Sequence, residues 1–367
     1  MFIDIIAGAR PNFVKIAALV HAFRESPEIK LGYRIVHTGQ HYDKRMSGDF
    51  FDQLEIPEPD VNLEVGSGTQ AEQTGRIMVR YEELIIASPP AATLVVGDVT
   101  STMACAIVAQ KQGVPVAHVE AGIRSGDWTM PEEINRLVTD AITNWFFTTS
   151  EFANAELRRT GVSEDRIFFV GNTMIDTLLR NQHKFVQPAI YSEQKLSPGE
   201  YLLLTLHRPS NVDDGARLRE ILDEIAKGAV DTPVVFPVHP RTRNKMESSG
   251  IKLESPFVVV DPLPYLEFGY LTQHAKGIIT DSGGITEEAT VLGVPCMTLR
   301  SSTERPETVD MGTNELIGAD PKSIGPALKR LLSGDWKTGG IPDLWDGRTG
   351  LRIMTTLTGL LGANQKT

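Results

Sequence analysis

Short runs of consecutive apolar residues recur along the chain. Each is followed by a glycine-bearing loop and then by a stretch whose apolar positions repeat at helical spacing. The runs predict strands at 2–7, 34–37, 93–96, 115–119, 145–148 and 167–170, and a second series at 201–206, 234–238, 257–260, 277–280 and 294–299. Unbroken apolarity, rather than alternation, is the pattern of strands buried on both faces of a parallel sheet. Amphipathic stretches at 13–24, 101–112, 216–228 and 285–292 predict intervening helices. Strands alternating with helices make βαβ units and doubly wound sheets. Residues 182–199 are polar, carry two prolines and read as a linker. The expectation is an α/β chain of two Rossmann-like parallel-sheet domains, 1–180 and 181–350, facing a cleft. A last apolar-periodic stretch within 351–367 is expected to pack as a helix on the first domain.

A length of 367 residues agrees with two domains. The net charge of −11 argues against a nucleic-acid surface but not against a small anionic ligand, because local cations and helix N-termini override the global sign. Cys105 and Cys296 lie in apolar contexts and read as buried, reduced thiols, which fits the cytoplasm. No apolar run approaches the ~20 residues of a membrane span. The opening MFIDIIAGARP lacks the basic region of a signal peptide and reads as a strand.

Ligands of open α/β sheets sit beyond the carboxyl ends of the strands, so residues just after each strand carry the information. After the first strand, Arg10 and Lys15 lie about a helical turn apart at the positive end of a helix, an anion site or a plain turn with surface cations. Asp98 ends the 93–96 run, as a ligand or as the cap of the next helix. Glu120 ends a buried strand, where a carboxylate must pair, protonate or work. Glu132, Glu133 and Arg136 open the helix after Pro131; acids there also simply complement the helix dipole. His207-Arg208 and His239-Pro240-Arg241 follow two strands of the second series and favour a polyanion. They lack metal-ligand spacing, so no metal is expected. Ser282-Gly283-Gly284 between a strand and a helix lets backbone N–H groups approach a pyrophosphate, and Glu288 a turn later could accept from a ribose hydroxyl; a capped helix is the plain alternative. Arg305 follows the next strand.

GARPNFVK, TGQH, GDVTST, HVEAGIRSGD, PEEINR, GNTMID, TDSGGITEE and TERPET stand in this order over residues 2–318. Together they resemble the non-hydrolysing UDP-N-acetylglucosamine 2-epimerases. The resemblance implies a GT-B-like fold, a UDP-sugar as the partner, no cofactor, and a cytoplasmic homodimer serving cell-surface polysaccharide synthesis. It implies Asp98, Glu120 and Glu132 as catalytic acids and bases. His207, Arg10 and Lys15 would serve sugar and phosphate binding or the leaving group, with Arg136 and His239 beside the substrate. Ser282, Gly283, Gly284, Glu288 and Arg305 would bind UDP, and Phe268 would line the uracil pocket. Gln40, His41, Arg208 and His239 match parts of the regulatory UDP-sugar site of bacterial members. Asp127–Met130 is shorter than in many enzymes acting on UDP-GlcNAc. It is closer to relatives acting on UDP-2,3-diacetamido-glucuronic acid, which makes that sugar the alternative substrate. A GT-B glycosyltransferase and a non-catalytic UDP-sugar-binding protein are the readings from other classes.

Overall fold

The apolar runs pair as two parallel sheets. The computed structural model describes residues 1–8, 10–27, 29–39 and 51–364, excepting the side chains of residues 10, 11 and 364. The strands are β1 Phe2–Ala7, β2 Gly32–His37, β3 Val61–Asn62, β4 Thr93–Val96, β5 Val116–Val119, β6 Trp145–Thr148 and β7 Ile167–Phe169. They continue as β8 Leu202–Thr205, β9 Val234–Pro237, β10 Phe257–Val260, β11 Gly277–Thr280, β12 Cys296–Thr298 and β13 Asn314–Leu316. The sheet orders are β3-β2-β1-β4-β5-β6-β7 and β10-β9-β8-β11-β12-β13. The two strands not foreseen, β3 and β13, lie at sheet edges, and their residues, Val61-Asn62 and Asn314-Glu315-Leu316, contain no apolar run.

Burial explains the unbroken apolarity. In the second sheet Leu202, Leu204, Phe236, Ile279 and Met297 join a cluster with helices Gly215–Ala229 and Ile324–Leu332. Their neighbours Leu203, Val235, Ile278 and Cys296 join another, with Leu271 and Ala289. Successive side chains point to opposite faces, and both faces are covered, so apolar residues stand at consecutive positions. Cys105 and Cys296 are buried free thiols.

The chain divides into two compact units, Met1–Arg180 with Asp343–Thr367, and Asn181–Pro342. Two expectations are corrected. The second unit ends at Pro342 rather than 350. Residues 182–199 are not a linker but part of that unit: Tyr191 is buried, and the Val186 N–H donates to the Leu266 carbonyl at 3.3 Å. In the first unit, helix Thr349–Asn364 packs on helix Arg10–Glu25, and a Cβ on Gly350 would lie 2.4 Å from the Ala18 carbonyl oxygen. Ahead of it, Trp345 is buried and its indole donates to the Thr149 carbonyl at 3.0 Å. The Gly350 N–H donates to Asp176 Oδ2 at 2.7 Å.

Each sheet has one point where strand order reverses direction, β1/β4 in the first and β8/β11 in the second. Loops leaving such a pair diverge to opposite faces and open a crevice at the strand carboxyl ends.

Candidate functional site

In the first unit the switch point is lined by the ends of β1, β4 and β5. Lys15 Nζ lies 2.7 Å from Glu120 Oε2, and both side chains are largely buried. Gly97 has φ +69°, and a Cβ there would lie 3.1 Å from the Lys15 ammonium, so glycine is needed for both the turn and the close approach. Asn12 fastens the crossing: its Oδ1 accepts from the Gly8 N–H at 3.2 Å and its Nδ2 donates to the Val96 carbonyl at 3.0 Å. Glu120 itself has φ +69°, a left-handed conformation that costs a non-glycine residue about 1–2 kcal/mol. Its N–H and that of Ala121 both donate to the Phe147 carbonyl, at 3.0 and 3.1 Å.

Asp98 does not cap the next helix, whose N-cap position is Val99. Instead Arg136 donates to Asp98 Oδ2 from Nε and Nη2, at 3.0 and 2.6 Å, and Asn135 Nδ2 donates to the Asp98 carbonyl at 2.8 Å. Arg136 also meets Glu133 at 2.8 Å. Glu133 is buried and accepts from the Ser125 and Gly126 N–H groups at 2.9 and 3.0 Å. Burial pushes its pKa up, but these donors and Arg136 outweigh it and hold the carboxyl below its ordinary value. Glu132, one residue earlier, is half-buried and forms no hydrogen bond or ion pair among the described residues. The two acids after Pro131 therefore divide: Glu133 braces the turn, and Glu132 is open to a ligand. The side chain of Arg10, with Gln40 and His41, lies outside the described residues.

In the second unit, Asp281 follows β11 and is fully buried. It accepts from the His207 and Arg208 N–H groups and from Asn211 Nδ2 at 3.0–3.2 Å, and its Oδ1 lies 2.9 Å from His207 Nδ1. Burial would raise its pKa, but His207 and the N–H donors outweigh that and lower it. The contact fixes the His207 ring through Nδ1. His239 is exposed, and its Nδ1 caps helix Pro240–Ser248 by accepting from the Arg241 N–H at 3.2 Å. The two imidazole centroids are 6.2 Å apart. Partial desolvation of the exposed ring, then the nearby His207 and Arg241, lower the pKa of His239.

Ser282 occupies the N-cap of helix Gly283–Leu292 but makes no side-chain capping bond. The first-turn N–H groups thus keep their capacity for an anion. A Cβ on Gly283 would meet nothing within 4 Å. Glu287 pairs with Arg305 Nε at 2.6 Å. Glu288 is buried, and burial beside Glu287 pushes its carboxyl up to about 8. The Tyr265 hydroxyl is buried, has no hydrogen-bond partner among the described residues, and is pushed up by burial and by Glu288. Phe268, one turn further along helix Tyr265–His274, is half-buried against the apolar cluster.

Asp98, Glu120, Lys15 and Arg136 thus meet at one switch point, with Glu132 on an adjoining helix. His207, Ser282, Gly283, Gly284, Glu288 and Arg305 cluster at the other. Asp281 and Tyr265 went unassigned in the sequence: the partners of Asp281, His207, Arg208 and Asn211, lie 70 or more positions away in the chain, and the burial of the Tyr265 hydroxyl shows only in the fold. Asp281 alone carried a signal, a carboxylate directly after a buried strand. Among the described residues no three His, Cys, Asp or Glu side chains are placed to hold a metal ion.

A family model described as UDP-N-acetylglucosamine 2-epimerase matches residues 21–358. The chain is 39% identical over 369 residues to a Methanocaldococcus jannaschii UDP-N-acetylglucosamine 2-epimerase, covering 98% of this chain and 99% of the relative. It is 42% identical over 317 residues to a Pseudomonas aeruginosa UDP-2,3-diacetamido-2,3-dideoxy-D-glucuronate 2-epimerase, covering 86% and 87%. The crystal structure of the M. jannaschii UDP-GlcNAc 2-epimerase in complex with UDP-GlcNAc and UDP superposes with a TM-score of 0.87 at 38% identity, covering 98% of this chain and 100% of that one.

Proposed function

Because the chain belongs to the UDP-N-acetylglucosamine 2-epimerase family, we propose that it interconverts UDP-GlcNAc and UDP-ManNAc. The observation that carries this is the meeting of Asp98, Glu120 and Lys15 at one switch point, with Glu132 open beside them. The C2 proton of the sugar is not next to a carbonyl, so direct deprotonation is difficult. Breaking C1–O first, with UDP leaving, builds positive character at C1 and acidifies C2–H. A carboxylate takes that proton, leaving a glycal and UDP. A carboxyl on the other face returns a proton to C2, UDP re-adds at C1, and the configuration is inverted. Such a route needs acids and bases in separate environments, and cationic or N–H donors for the departing diphosphate.

In this reading the second unit holds UDP. The Ser282-Gly283-Gly284 helix start receives the pyrophosphate, Arg305 supports it, Glu288 accepts from the ribose, and Phe268 flanks the base. His207 and His239 serve the leaving group. Lys15, Arg10 and Arg136 serve the sugar and phosphate side. No described helix is long and apolar enough to cross a membrane. The buried thiols support a reducing cytoplasm. A homodimer is carried over from the family resemblance, and sedimentation measures it.

Incubation with UDP-GlcNAc in D₂O should place deuterium at C2 and yield the manno epimer; neither product nor exchange would sink the reading. A second substrate, the diacetamido-glucuronate, is favoured by the 42% identity to its epimerase and by the short Asp127–Met130 turn. Both nucleotide sugars offered side by side decide between them. Product that forms only with an added acceptor would instead indicate a glycosyltransferase, and tight UDP-sugar binding without turnover a binding protein.

A further inference from the structure

One hydrogen-bonded group in the first unit touches all three elements that carry the candidate acids. Asp140 lies on helix Pro131–Ile142, the helix that opens with Glu132. Its Oδ1 is 2.7 Å from His118 Nδ1, and His118 lies on β5, which runs into Glu120. His118 Nε2 is 2.9 Å from the Gly97 carbonyl, next to Asp98. Asp140 Oδ2 accepts from the Gly122 N–H at 3.0 Å and meets Arg124 Nη1 at 2.7 Å. Asp140 and His118 are both buried.

The two ring nitrogens of His118 are held from opposite sides, by the Asp140 carboxylate and by the Gly97 carbonyl, which fixes the ring between β5 and the turn after β4. Asp140 is thereby committed on both oxygens. It grips the chain two residues before Glu120, through His118, and two residues after it, through Gly122. Between these grips Glu120 holds φ +69°. A non-glycine residue stays in that region only where its surroundings over-determine it. Gly122 has φ +79°, and a Cβ there would lie 2.4 Å from the Ala153 carbonyl oxygen, so this turn has no room to drift.

We propose that Asp140 is a positioning residue for the inversion, setting the display of Glu120 through His118 and Gly122 and registering Asp98 through the Gly97 carbonyl. The inference rests on the epimerase reading above. Among the described residues, each contact of this network lies within the first unit, so its loss should act on the chemical steps and spare UDP binding.

The test is Asp140→Asn, with His118→Gln as a second variant that cuts the tie to Gly97 while leaving Asp140 in place. Expected is a fall in kcat of about 10²-fold, as for a misplacement of about 1 Å. KM and the Kd of UDP should stay within about twofold, and free UDP with glycal should accumulate, because proton return is misaligned. Crystal structures of the variants should show the Glu120 backbone leaving the left-handed region. Two results would overturn the proposal: folded variants that keep kcat within about twofold, or a kcat loss matched by equal losses of UDP affinity and folded fraction. If Asp140→Asn does not fold, His118→Gln decides. A wild-type protein that fails to epimerise refutes the function alone, and the Glu120 backbone in the variants then judges the brace.

Discussion

Glu287 and Glu288 are neighbours in sequence with opposite fates. Glu287 is neutralised by Arg305 at 2.6 Å, whereas Glu288 is buried against a like charge and pushed up to about 8. In the unfolded chain a glutamate titrates near 4.5. Between those values the folded protein binds more protons than the unfolded chain, so stability falls as pH rises through the window. The slope is at most about 1.4 kcal/mol per pH unit. Glu288→Gln removes this cost. Without nucleotide, the variant's Tm advantage over wild type should be near zero at pH 4.5, grow with pH and level off above 8. A constant difference would contradict the assignment. On the proposed route Glu120 carries a proton, so the isosteric Glu120→Gln should lower kcat by about 10²–10⁴-fold, with UDP affinity measured by calorimetry unchanged. The positions of both glutamates were legible as strand-end and helix-start acids. Their states were not, because each depends on a group distant in the chain or on burial that one sequence does not display.

At the scale of elements, the turn between β11 and helix Gly283–Leu292 joins local order to an unfilled task. Its N-cap Ser282 bonds no first-turn N–H, and a Cβ on Gly283 would meet only open space. Gly283→Ala should therefore leave the unfolding midpoint the same or slightly higher, since helical alanine is favoured over glycine by about 1 kcal/mol. If this turn holds the pyrophosphate as proposed, UDP affinity should nevertheless fall about tenfold or more, because the methyl blocks the backbone's approach. Thermal melts with and without UDP separate the two effects. The central strands were readable because burial on both faces forces unbroken apolarity. Edge strands β3 and β13 were not, since polar Asn62, Asn314 and Glu315 interrupt them. The 182–199 segment misled for a related reason. It is polar and proline-bearing, yet Tyr191 anchors it in the second unit's core.

For the molecule as a whole, the division into Met1–Arg180 with Asp343–Thr367 and Asn181–Pro342 makes the first unit discontinuous in sequence. Its closing segment is pinned by Trp345, 2% exposed, with its indole on the Thr149 carbonyl. Trp345→Ala should cost about 3–5 kcal/mol, read as a lower denaturant midpoint for the first unit. An unchanged midpoint would show that the segment contributes little. Apolar periodicity announced a helix in this segment. Trp345, lying before the periodic stretch, gave no sign of its anchoring role.

That discontinuity reverses the order of completion during synthesis. The second unit is one continuous stretch and can close as soon as Pro342 has emerged from the ribosome. The first unit is made earliest but waits for Trp345 and helix Thr349–Asn364, holding the surface of helix Arg10–Glu25 uncovered meanwhile. A chain that ends at Pro342 therefore contains the whole second unit joined to a first unit that lacks Trp345 and helix Thr349–Asn364. Such a product would be a substrate for chaperones or proteases, and not an enzyme.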